Sequence, residues 1–137
     1  LMKTIMKENV KFDKKSLKLV QGKTCNFGEL AKDCVAFANS YGGCIAIGIE
    51  DEAELPDPNQ VVPQDLPERV VKRINELTLK SLIAEDLKFH PQSLLSEIAA
   101  RLPDVNFQEL EKMVRKMAKE GEINYIGGRK YRKYLLP

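Results

Sequence analysis

The residues best suited to chemistry are lysines and arginines near the C-terminal end of the chain. Leu110, Met113, Val114 and Met117 recur at helical spacing and form one apolar stripe. Gln108, Glu111, Lys112 and Arg115 fall away from that stripe, and Lys116 and Lys119 extend its basic side. Gly127-Gly128-Arg129-Lys130, with Tyr131, Arg132 and Lys133, then places a second group of cations at the tip of an expected hairpin. Such cations neutralise phosphates. Polar residues near the start of a groove-entering helix read base edges, while phosphate contacts supply affinity. A solvated lysine-rich face or a protein-docking module would use the same residue types, but cations on both helix and hairpin favour DNA. Tyr125, Tyr131 and Tyr134 alternate with the basic residues, a spacing that also suits cross-strand packing.

Other chemistries have weaker support. His90 is the only histidine and precedes Pro91, so it reads as a loop residue, and a Ser-His-Asp triad or a multi-histidine zinc site is not expected. Gly22-Lys23-Thr24 looks like the end of a phosphate-binding loop, but that motif needs a glycine where Leu17 stands. Cys25, Cys34 and Cys44 are odd in number and lack C-x-x-C spacing; Cys34 and Cys44 read as small core residues. No secretory segment and no bilayer-spanning apolar run is present, so a reducing cytoplasm is the expected compartment. The chain opens on Leu1 and not on methionine, as a fragment would.

Net charge is only +2 over 137 residues, so whole-chain charge does not announce nucleic acid. Its distribution says more. Lys3, Lys7, Lys11, Lys14, Lys15, Lys18 and Lys23 outnumber Glu8 and Asp13 at one end, and Arg129, Lys130, Arg132 and Lys133 stand without an acid at the other. Basic ends attract phosphate.

The elements that must position these residues fall into two modules. In the first, Lys7 to Asp13 reads as an edge strand with Val10 and Phe12 on one face, followed by a basic connection over 14–25. Asn26 and Glu29 have capping-box spacing, and Leu30, Cys34, Phe37 and Ala38 form a helical stripe. Cys44 to Ile49 reads as a buried strand, and Pro56, Pro58 and Pro63 mark a surface loop. A helix starts at Asp65-Leu-Pro-Glu68 and buries Val70, Val71, Ile74 and Leu77. The second module runs from about Leu79: a short helix to Leu87, a helix over 91–102, a third opened by Asn106 and stopped by Gly121, and a hairpin turning at Gly127-Gly128. Three helices and a hairpin in this order resemble a winged helix. Thr78 runs into Leu79 with almost no linker, which is expected of a compact variant or of a chain lacking intervening residues.

The stretch from Val35 to Asp51 carries the most specific signal. It closes a helix, turns at Asn39-Ser40-Tyr41-Gly42-Gly43, and runs through a strand that ends on Gly48-Ile49-Glu50-Asp51. It resembles the Schlafen AlbA-type DNA-binding domain, whose core reads AFAN-x-x-GG, a strand, then G-[VI]-[DE]-D. An earlier family stretch, E-x-x-x-x-E-F-K, is matched in spacing by Glu8, Asp13 and Lys15, with Asp in place of Glu at 13 and Lys14 where Phe is usual. The resemblance covers roughly half of the chain. Bacterial relatives of this domain are described as DNA-binding regulators and are often labelled helicase-like or ATP-binding.

The resemblance also implies an alternative. In Schlafen nucleases the corresponding acids serve divalent-metal-dependent cleavage of structured RNA, which would give Glu8, Asp13 and Asp51 that role here. Three carboxylates on adjacent strands suit Mg²⁺ or Mn²⁺, which polarises a phosphate and activates water. Lys15, with Lys11, would neutralise the nucleic-acid backbone.

The sequence is therefore read as α+β: an AlbA-like mixed sheet with helices over 1–78, then a small winged-helix, helix-turn-helix module over 79–137. The expected function is a cytoplasmic DNA-binding transcriptional regulator with no cofactor and no membrane association. Lys112, Arg115, Lys116, Arg129, Lys130 and Arg132 would contact duplex DNA, with Lys15 and the turn from Asn39 to Gly43 contributing, and a homodimer is common among such readers. The alternatives are the metal-dependent ribonuclease and a protein-interaction module.

Overall fold

A computed structural model describes residues 11–137. The chain divides into two compact units, the boundary falling between Asn75 and Glu76.

In the first unit, β1 (Phe12–Lys15) pairs in parallel with β2 (Cys44–Ile47), with Phe12 opposite Cys44 and Lys15 opposite Ile47. A parallel pair needs a crossover. Here a single 3-10 turn (Leu17–Leu19) and helix α1 (Phe27–Ala38) supply it. Asn26 caps α1 as expected: its Oδ1 accepts the Glu29 amide N–H at 3.1 Å. The helix ends where Gly42, at φ +79°, donates its N–H to the Phe37 carbonyl at 2.8 Å. Gly43 meets a different demand, since a Cβ there would lie 2.5 Å from the Phe37 ring. Leu17, Val20, Leu30 and Leu66 form the core, with Ile45, Ile47, Val70 and Ile74 packed against it.

Several local expectations change. The first strand ends two residues later than read, so Lys14 and Lys15 belong to it together with Phe12 and Asp13; the Glu8 and Val10 part of the expected strand lies outside the described residues. β2 is half-covered, not buried, and Cys44 is exposed, because only two strands form this sheet among the described residues. Cys34 is half-buried. Val71 is 61% exposed although it lies in the predicted stripe, since Leu66, Val70 and Ile74 make the inward face.

Helix α2 (Leu66–Phe89) has 24 residues and runs through Thr78 and Leu79 without a break. No glycine or proline interrupts it after Pro67, so the expected separate helix at 79–87 is the second half of α2.

The second unit continues with β3 (Ser93–Leu94), α3 (Leu95–Arg101), α4 (Phe107–Lys119), β4 (Asn124–Ile126) and β5 (Lys133–Leu135). The strands form an antiparallel sheet in the order β3-β5-β4, with Ser93 and Tyr125 both opposite Tyr134. The helix expected from Pro91 starts only at Leu95. Gln92 at φ +58° turns the chain, and the Ser93 hydroxyl donates to the His90 carbonyl at 2.6 Å, which frees residues 93–94 to pair with β5. The Glu97 carboxylate accepts the Leu94 N–H at 2.8 Å and caps α3 without a polar N-cap residue. Asn106 Oδ1 accepts the N–H groups of Gln108 and Glu109, and Leu110, Met113, Val114 and Met117 are buried as the stripe requires. They join Ile83, Leu87, Ile98, Ile123 and Tyr134 in one core. Gly121 at φ +78° ends α4. The β4–β5 connection is longer than a two-glycine turn: it spans 127–132 and contains a 3-10 turn at Arg129–Tyr131.

Candidate nucleic-acid interface

In the second unit, a groove of about 530 Å³ is lined by Ser96 from α3, Phe107 and Arg115 from α4, and Arg129, Lys130 and Arg132 from the β4–β5 loop. Four of the six cations expected at DNA thus share one concavity. The helix supplies Arg115 because residues 108, 111, 112, 115, 116 and 119 lie opposite the buried stripe. Arg115 reaches Glu111 at 3.3 Å, an i,i+4 pair exposed to solvent and weak for that reason. Lys116 acts through its charge on the Glu122 carboxyl, while no carboxylate contact is seen for Arg129, Lys130 or Lys112 among the described residues. Arg132 packs instead on an aromatic ring, its guanidinium carbon 4.0 Å from the Tyr125 centroid. Lys112 and Lys116 are exposed on α4 but do not line the groove. Sequence reasoning missed Ser96 and Phe107. Both belong to helix starts, and the half capping box at Glu97 was the available signal for the first.

The first unit has a second concavity, of about 470 Å³, to which Asp13, Lys15, Glu50 and Asp51 contribute. The structure thus brings Asp13 and Asp51 to one cleft; Glu8 lies outside the described residues. Among the described residues no group of three or more His, Cys, Asp or Glu side chains is placed to hold a metal ion.

The charges of this cleft are largely committed to one another. Lys15 Nζ lies 2.9 Å from Asp33, 3.2 Å from Asp13 and 3.9 Å from Glu29. The hydrogen bond to Asp33 raises the Lys15 pKa well above the ordinary lysine value against the opposing effect of burial, and Asp13 raises it further. The ammonium stays charged, but its charge is answered inside the unit. Glu29 and Asp33 sit four residues apart on α1, a spacing visible in the sequence whose target, Lys15, was not. Glu50 accepts a hydrogen bond from the Ser16 hydroxyl at 2.8 Å. Asn39 is exposed and closes α1 through its backbone N–H, bonded to the Val35 carbonyl at 2.9 Å.

The chain belongs to the Schlafen AlbA_2 family, whose model, described as Schlafen, AlbA_2, matches residues 6–116. The match includes the AFAN-x-x-GG segment and continues past the first unit into α4, well beyond the half of the chain that the motif covers. No curated protein and no solved structure matches the chain.

Proposed function

We propose that this protein binds duplex DNA through its second unit and regulates transcription. The carrying observation is the groove in which Arg115 from α4 meets Arg129, Lys130 and Arg132 from the β4–β5 loop. The element order of the unit supports reading residues 79–137 as a winged helix: α3 and α4 serve as a helix-turn-helix, α4 as the recognition helix, and the β4–β5 loop as the wing. Lys112, Arg115 and Lys116 would approach DNA from the helix, with Arg129, Lys130 and Arg132 on the backbone beside it. The AlbA-type module over 1–78 contributes less, through Lys15 and Asn39, because Lys15 is already paired with carboxylates.

The test is fluorescence anisotropy of the full chain on a labelled 20-base-pair duplex between 50 and 200 mM salt. Six phosphate contacts give a slope of log K against log salt of about −5. Replacing Lys112, Arg115 and Lys116 with alanine should flatten it by about 3. A slope near zero, or a triple variant that binds like the wild type, would refute the reading.

A second reading rests on Asp13 and Asp51 lining one cleft. With Glu8 they would form the acid set of a metal-dependent ribonuclease. Labelled structured RNA incubated with Mn²⁺ or with chelator decides it: metal-dependent products lost in Asp51→Ala support the nuclease, and intact RNA in every lane removes it.

A further inference from the structure

Arg129 occupies a backbone conformation that suits glycine or asparagine. Its φ is +45°, in the left-handed region, which a bulky side chain rarely adopts. Strain of this kind persists only where the surroundings hold it, and it collects at contact sites. The surroundings here are specific. Tyr134 is buried in the core of the second unit. Tyr125 meets it edge to face at 6.2 Å, and the Arg132 guanidinium lies over the Tyr125 ring. The loop is closed on itself as well. Tyr131 N–H donates to the Gly128 carbonyl at 3.1 Å and Arg132 N–H to the Arg129 carbonyl at 3.3 Å. Gly127, at φ +83°, has no room for a side chain, since a Cβ would stand 2.9 Å from the Tyr131 carbonyl oxygen. A chain of contacts therefore runs from the core through Tyr134, Tyr125 and Arg132 to the backbone of Arg129.

We propose that the β4–β5 loop is a preformed clamp for one backbone phosphate. Arg129 and Arg115 form the contacting pair, and Arg132 is the positioning residue that holds Arg129 in place. The inference rests on the DNA reading above for the source of the phosphate, a duplex backbone. Phosphate is the ligand class because a guanidinium fork matches two of its oxygens at once, and both arginines line the same groove. The division of labour follows from geometry. Arg132 is stacked on Tyr125, whereas Arg129 has no carboxylate or ring partner among the described residues.

The experiment compares wild type, Arg129→Asn and Arg132→Lys as full chains, by thermal melting and by duplex binding across salt. Asparagine tolerates the left-handed backbone. Arg129→Asn should melt at or above the wild-type temperature, bind the duplex roughly tenfold more weakly and flatten the salt slope by about 1. Arg132→Lys keeps its charge but loses the planar stack. It should lose about as much affinity as Arg129→Asn, and the double variant should be little worse than either, because both act on one contact. An Arg132→Lys protein that binds like the wild type reduces Arg132 to a simple charge and overturns the proposal, as does an Arg129→Asn protein with undiminished affinity.

If wild type binds no duplex, the DNA reading fails and the clamp is judged with inorganic pyrophosphate. Movement of the Arg115 and Arg129 Nε–Hε NMR signals in wild type, lost in Arg132→Lys, sustains the clamp with another phosphate source. Signals that stay in place remove the clamp too.

Discussion

Lys14 and Ala53, 39 residues apart, are joined by a 2.6 Å hydrogen bond from the lysine ammonium to a backbone carbonyl. The same ammonium donates to the Asp51 carbonyl at 3.2 Å. Lys14 is only 8% exposed and lies on the face of β1 opposite Asp13 and Lys15. The residue that departs from the usual phenylalanine of the family pattern therefore fastens the turn carrying Asp51 to the first strand. Gln60 fastens the other side of this loop, donating to the Gly48 carbonyl at 2.9 Å.

Replacing Lys14 with methionine keeps the stem and removes the donor. Carbonyls left without a partner cost about 1–3 kcal/mol. Urea unfolding should register that loss, and amide hydrogen exchange over residues 50–54 should quicken. Unchanged exchange there would mean that the loop is held by other contacts.

Arg101 and Asp86 make a two-pronged ion pair in the second unit: Nε to Oδ1 and Nη2 to Oδ2, both at 2.8 Å. Arg101 also donates to Ser93 Oγ at 2.7 Å, so the pair ties α2, β3 and α3 together. Asp86 is nearly buried and Arg101 about three-quarters so. Asp86→Ala removes the guanidinium's paired carboxylate, leaving the Ser93 hydroxyl and the charge of Glu97, and should destabilise by about 3 kcal/mol. Asp86→Ala combined with Arg101→Leu should recover part of this, giving a coupling above 1 kcal/mol in a double-mutant cycle by about the usual standard for contacting residues. Additive losses would contradict the pairing.

Gly42 and Gly43 should fail differently when replaced. At Gly42 a Cβ has open space, but the positive φ strains it, so alanine should cost about 1 kcal/mol and asparagine less. At Gly43 the obstacle is the Phe37 ring, and alanine should cost about 1–3 kcal/mol as an overpacking change. Phe37→Leu should relieve Gly43→Ala but not Gly42→Ala. Thermal denaturation of the four single and two double variants distinguishes the two causes.

The Glu122 carboxyl is held below its ordinary value, first by its hydrogen bond from Lys80 at 2.8 Å, with burial opposing. A depressed carboxyl stabilises the fold above its unfolded pKa, and that stability is lost as pH falls through the folded pKa. The pair is partly exposed, so the effect at neutral pH is about 0.5 kcal/mol or less. Lys80→Met should therefore lower stability slightly at pH 7, and the difference from wild type should vanish in acid below the carboxyl range. A difference that grows in acid would reverse the assigned sign.

Features that depend on residues within a turn or two of each other were legible in the sequence. Asn26 and Asn106 cap their helices because the acceptor and the orphan amides lie three residues apart. The Leu110, Met113, Val114 and Met117 stripe is buried because helical periodicity alone brings it to one face, and Gly42 and Gly121 take positive φ where helices end. The continuity of α2 was also local: no glycine or proline follows Pro67 within it, yet it was read as two separate helices.

Tertiary structure decided which distant groups meet. Asp13 and Asp51 share a cleft, and Arg115 joins Arg129, Lys130 and Arg132 at one groove. Lys15, read as a cation for the nucleic-acid backbone, is answered by Asp13 and by Asp33 from α1, while Lys14, read only as a departure from the family pattern, is a buried fastening. The two-residue strand at Ser93–Leu94 exists because β5 offers it hydrogen bonds, an influence forty residues away that no local propensity carries. Sequence supplies the types of charge and the period of each face. The worth of a charge depends on distance and burial, and both are set only when the elements pack.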